Sequence, residues 1–86
     1  MLKTPTRLEA TVLEAVNRAF APTHTENNLF EMEGRVFGSV TVVGSEKFDN
    51  LNDLRRQNHL WQQLRELLGS GATQIGPIVL KPTNRG

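Results

Sequence analysis

Few residues in this chain could do bond-making chemistry. Its 86 residues include two histidines, His24 and His59, and no cysteine. Without thiols there is no disulfide framework and no thiolate metal site. Hydroxyls and carboxylates are scattered along the chain, but none forms a recognisable nucleophile–base or paired-acid motif. The sequence therefore points to binding and not to an enzyme. The residues left for binding are cationic: Arg55 and Arg56, with Lys47 a short way upstream. Near a helix start, where free backbone N–H groups already favour anions, such cations could hold a phosphate. The competing reading is a solvated helix face neutralised by Glu46, Asp49 and Asp53. Ten basic residues against nine acidic ones leave a formal net charge of +1. A general nucleic-acid footprint would show a clear basic excess, so any basic site here is a local patch.

These residues need a frame to hold them. A chain of 86 residues makes one domain, 1–86. Its expected core covers 4–83, and a flexible tail is expected at 84–86. Thr6 and Glu9 form a capping box, and Pro5 before them suits a helix start. Leu8, Val12, Ala15, Val16 and Ala19 continue as one apolar stripe, extended by Phe20. Pro22 stops it, because proline disfavours helix at Ala21. Residues 22–28 read as a polar connection. Residues 29–33 and 36–43 read as two strands of an antiparallel hairpin, turned at Gly34-Arg35.

A second helix is expected over about 52–68, with Gly69 at its C-terminal cap. Leu54, Gln57, Leu60, Trp61, Leu64, Leu67 and Leu68 share its apolar face. Arg55, Arg56, His59, Gln62, Gln63 and Glu66 fall largely on the other. Trp61 is expected in the core beside Leu54, Leu64 and Leu68. Gln57, at the edge of that face, is expected half-buried with its amide hydrogen-bonded, since an unpartnered buried amide is costly. A third strand follows over 75–81, and Pro77 within it argues for a sheet edge. The fold class is thus α+β in the order α-β-β-α-β, a three-stranded mixed sheet with helices on one face. No apolar run approaches the length needed to span a membrane, and the N-terminus lacks the apolar stretch of a signal peptide. A cytoplasmic location is the expectation.

The stretch from Val43 to Leu64 carries a more specific pattern. Val43-Gly44-Ser45-Glu46-Lys47-Phe48 enters a turn, Arg55-Arg56-Gln57 opens the helix, and Leu60-Trp61 follows. This resembles the BolA family. In that family a strand ends in a small residue, an acidic residue and Phe. After a glycine-containing turn, a helix begins with basic residues followed by His or Gln, a hydrophobe and an aromatic. The similarity extends more loosely over most of residues 8–83, with Ile75 to Lys81 at the family's third strand. The resemblance implies the same element order and a topology shared with the type II KH nucleic-acid module.

It also implies a small adaptor in iron–sulfur or redox homeostasis or stress regulation, with a monothiol glutaredoxin as partner. DNA or RNA binding by a transcriptional regulator is the alternative. The partner- or nucleic-acid-binding residues it points to are Lys47, Arg55, Arg56, Gln57 and Gly76. Members of the family can share a [2Fe–2S] cluster through a third-strand histidine. Here that position is Gly76, followed by Pro77, and neither side chain can bind iron. Two residues along a helix is a turn of about 200°, so His59 does not substitute at position 57. No metal and no cofactor are therefore expected. Asn50 replaces the usual turn glycine, and Gly69-Ser70-Gly71 has the wrong spacing for a KH-type Gly-x-x-Gly clamp.

Overall fold

The first helix is fixed at both ends by side chains visible in its sequence. In the computed structural model, which describes residues 6–82, α1 spans Arg7–Phe20. Pro5 and the tail at 84–86 lie outside the described residues. The Thr6 hydroxyl accepts from the Glu9 N–H at 3.1 Å, and the Glu9 carboxylate accepts from the Thr6 N–H at 3.2 Å. This reciprocal box satisfies two donors that the first turn would otherwise leave open. Ala21 caps the far end in the left-handed region, at φ 46° and ψ 54°. Pro22 follows, as it commonly does after such a cap. Val12, Ala15, Val16, Ala19 and Phe20 are buried, the expected stripe.

Strands β1 (His24–Met32) and β2 (Arg35–Val43) pair antiparallel, residue for residue, from His24 opposite Val43 to Met32 opposite Arg35. The turn is Glu33-Gly34, with φ 54° and 75°. Two positive φ values match the twist of the flanking strands and favour glycine at the second position. The expected turn at Gly34-Arg35 is therefore one residue late. The first strand also begins five residues earlier than the polarity of 24–28 suggested. Leu29 is the only buried residue of β1, so the strand has little need of apolar residues and reads as a loop.

After Gly44, where the sequence predicts a turn, the chain makes a short helix. Ser45 caps α2 (Glu46–Asp49), its hydroxyl accepting from the Phe48 N–H at 3.1 Å. The same hydroxyl donates to the Phe20 carbonyl at 2.6 Å, tying α2 to the end of α1. The long helix is α3 (Asp53–Leu68), capped by Asn52 and ended at Gly69. One 3₁₀ stretch (Gly69–Gln74) leads into β3 (Ile75–Pro82).

The sheet order is β1-β2-β3, with β3 parallel to β2. This is the mixed three-stranded α+β fold expected. Pro77 lies in the edge strand β3. Between Val36–Ile75 and Gly38–Ile78 the register slips by one residue. Gly76-Pro77 thus forms a bulge, a second reason why a proline is tolerated there. One face of the sheet is covered by the helices. Val36, Val40, Val42, Ile78 and Leu80 pack there with Val12, Val16, Phe20, Phe48, Leu60 and Leu64. The Phe20 and Phe48 rings meet edge to face at 4.9 Å.

The apolar face of α3 is narrower than its sequence suggests. Leu60 and Leu64 are fully buried, and Trp61, Leu67 and Leu68 are partly buried against the core. Leu54 is 70% exposed. It lies about 120° from Leu60 around the helix and belongs to the first turn, which places it off the packed stripe.

Candidate docking surface between α3 and β3

Arg55 and Arg56 are neighbours in sequence with opposite environments. Arg56 lies about 40° from Leu60 around the helix, on the inward side. Its side chain is only 13% exposed. The guanidinium carbon sits 4.0 Å from the centroid of the Phe48 ring, and Nε donates to the Phe48 carbonyl at 2.9 Å. A terminal nitrogen reaches Asp53 Oδ1 at 3.3 Å. A desolvated cation over an aromatic face, with a carbonyl acceptor beside it, is a structural clasp between α3 and α2. The sequence reading that put Arg56 on the solvated face is corrected by this geometry. Arg55 and Lys47 are exposed, Arg55 on the first turn of α3 and Lys47 on α2.

Gln57 is half-buried and hydrogen-bonded. Its amide nitrogen donates to the Ile78 carbonyl on β3 at 2.9 Å. Its amide oxygen accepts from the Trp61 indole N–H at 3.2 Å. One side chain thereby ties a helix to the edge strand and orients the tryptophan. Beside it, Asp53, Arg56, Gln57, Ile78, Val79 and Leu80 line an open depression of about 230 Å³. Of the five residues singled out from the sequence, this depression unites Arg56 and Gln57. Lys47, Arg55 and Gly76 are not among its lining residues.

Gly76 is buried in the bulge of β3. A Cβ placed on it would meet two carbons of the Phe37 ring at 2.6 Å and the Val36 carbonyl at 3.0 Å. The ring therefore fills the space that a side chain at position 76 would need. A cluster held from this position does not fit: the residue has no donor atom, and the room for one is taken. His24 is exposed at the start of β1, 3.9 Å from Glu26, and His59 lies 6.5 Å from the Phe20 ring. Among the described residues no group of three or more His, Cys, Asp or Glu is placed to hold a metal ion.

Sequence reasoning missed the aromatic pair on the uncovered face of the sheet. Phe30 and Phe37 are opposite each other across the hairpin, with ring centroids 5.8 Å apart and planes at 27°. The guanidinium of Arg35 is 6.0 Å from the Phe37 centroid. Both phenylalanines are equally distant from the Glu33-Gly34 turn, so correct placement of that turn would have revealed the pair.

No protein-family model matches the chain, and no curated protein sequence is similar to it. Among solved structures, it is similar to a Bol-like protein from Babesia bovis, with a TM-score of 0.61. The match covers 100% of this chain and 90% of that one, at 15% identity. The chain has a BolA-like fold, the class that the motif around Lys47, Arg56 and Gln57 implied.

Proposed function

We propose that this protein is a BolA-like binding adaptor that docks on a partner protein, a monothiol glutaredoxin, without supplying a cluster ligand from the third strand. The observation that carries the reading is the paired loss at Gly76. The ligand side chain is gone and the Phe37 ring occupies its space, while the flank formed by α3 and β3 remains built. Arg56 and Gln57 hold that flank in shape. Arg55 and Lys47 stand exposed near it as the charges available to a partner. The reading gives the protein a non-catalytic role in iron–sulfur or redox homeostasis in the cytoplasm. Among the described residues no helix is long and apolar enough to cross a membrane.

The test is a titration of a cluster-loaded monothiol glutaredoxin with the wild type and with variants. Binding is expected to survive His24→Ala with His59→Ala and to weaken with Arg55→Glu and Lys47→Glu. A visible spectrum that shifts with wild type but not with the double histidine variant would make a histidine the ligand and overturn the reading. No binding at all would move the function to nucleic acid, the second reading, which the same exposed cations support. DNA or RNA binding would then fall with salt, and Arg55→Glu would flatten the slope by roughly one phosphate contact.

A further inference from the structure

The two edges of the sheet are built differently. The outer edge of β3 is blunted by four devices. It carries the Gly76-Pro77 bulge, a proline without an N–H, an exposed Lys81, and the Gln57 side chain on the Ile78 carbonyl. Bulges, prolines and lysines are the features that stop an edge from pairing with another chain. β1 has no bulge, proline or lysine, and Glu31 is the one charge on its helix side. The strand runs nine residues against β2 and contains no glycine. Among the described residues no strand pairs with its outer side. Nor does the helix layer shield it, because Asn27 and Glu31, on the helix side of the strand, are exposed.

We propose that this outer edge of β1 pairs antiparallel with β1 of a second copy of the chain, the two-fold axis passing at Asn28. The strand is complementary to itself, which makes a second copy the occupant, and pairing along its full length sets the register. A two-fold axis normal to a sheet keeps every side chain on its own face, so each residue meets one an even number of positions away. An axis at Glu26 or at Glu31 would set two carboxylates directly opposite, a destabilising pair. An axis at Asn28 pairs all nine residues and sets no like charges opposite. His24 faces Met32 of the second copy, Thr25 faces Glu31, Glu26 faces Phe30, and Asn27 faces Leu29. The two Asn28 amides meet across the axis. On the uncovered face, Glu26 lies two strands across and one row along from Arg35 of the facing copy, opposite in charge but not in contact. Phe30 and Met32, 45% and 56% exposed in the single chain, gain cross-strand neighbours. The result is a continuous six-stranded sheet.

The chain has no cysteine, so single cysteine variants report this contact cleanly. Asn28→Cys places two thiols on the axis, at a Cα separation that a disulfide can bridge. Under mild oxidation it is expected to form a covalent dimer, whereas Val79→Cys, on the uncovered face of β3, is not. Sedimentation of the wild type is expected to show the mass rising towards twice that of the monomer with concentration. Asn28→Lys, which sets two cations across the axis, is expected to return the monomer, with the melting temperature that the wild type shows when diluted until it is monomeric. A wild type that stays monomeric at the highest soluble concentration would overturn the proposal. So would crosslinking through Val79→Cys but not Asn28→Cys, which would place self-association on the sheet face instead.

Discussion

Around the start of α3, polar side chains reach for backbone. Arg56 takes the carbonyl of Phe48, Gln57 that of Ile78, and Ser45 that of Phe20. Four elements, α1, α2, α3 and β3, are fastened by these bonds, each through a backbone carbonyl. In the hairpin, by contrast, the backbone ladder of β1 and β2 supplies the order and only Leu29 of β1 is buried. Its largest apolar groups, Phe30 and Met32, face outwards. The first region is closed by its own side chains, and the second leaves both a strand edge and a sheet face available. Position 76 lies where the two meet, since the Phe37 ring from the hairpin rests on the strand that α3 holds.

The contrast is broken most severely by Phe48→Ala. Phe48 is fully buried, meets Phe20 edge to face and lies under the Arg56 guanidinium. Its truncation is expected to cost about 3–5 kcal/mol, a large share of a stability of about 5–15 kcal/mol. Urea denaturation with an unchanged m-value checks this. Gly76→His comes next. Restoring the imidazole forces a side chain into the Phe37 ring, with an expected loss of about 1–3 kcal/mol from overpacking. Adding Phe37→Ala should recover part of that loss, and a purely additive double variant would show that the ring is not the obstacle. The two arginines are expected to separate, Arg56 with an effect of the same order as Gly76→His and Arg55 with the smallest of all. Arg56→Ala should lower stability by about 1.5–3 kcal/mol, the range for a hydrogen bond to a charged group. Arg55→Ala should stay within about 0.5 kcal/mol, as exposed positions do. Equal melting temperatures for the two variants would dissolve the distinction between clasp and contact residue.

Much of the frame was legible because local chemistry and tertiary packing agree there. The capping box at Thr6 and Glu9, the β-branched run of β2 and the apolar period of α3 all specify what forms. The half-buried, bonded Gln57 was legible from its position at the margin of the apolar face. Legibility fails where a neighbour from far away decides. The first half of β1, residues 24–28, is polar and carries no alternating signal, so only its second half was legible as a strand. Four residues after Ser45 are too few for a helical period, and α2 is held by the bond from Ser45 to Phe20. Arg56 looked solvated because a cation pointing inwards needs the Phe48 ring and carbonyl, and nothing in the local sequence announces them. The Phe37 ring over Gly76 depends on strand register, which one residue of error in the turn displaces completely.

The pairing pattern also favours an order of assembly. Met32 meets Arg35 across a two-residue turn, whereas Val36 meets Ile75 only after the whole of α3 has been laid down between them. Closing the short loop costs far less chain entropy, so the hairpin can form while β3 is still searching. During that interval the inner edge of β2 stands open, presenting Val36, Val40 and Val42 on a β-branched strand. An open, β-branched edge of this kind is prone to off-pathway aggregation. Docking of α3, through the hold of Gln57 on Ile78, delivers β3 to cover it.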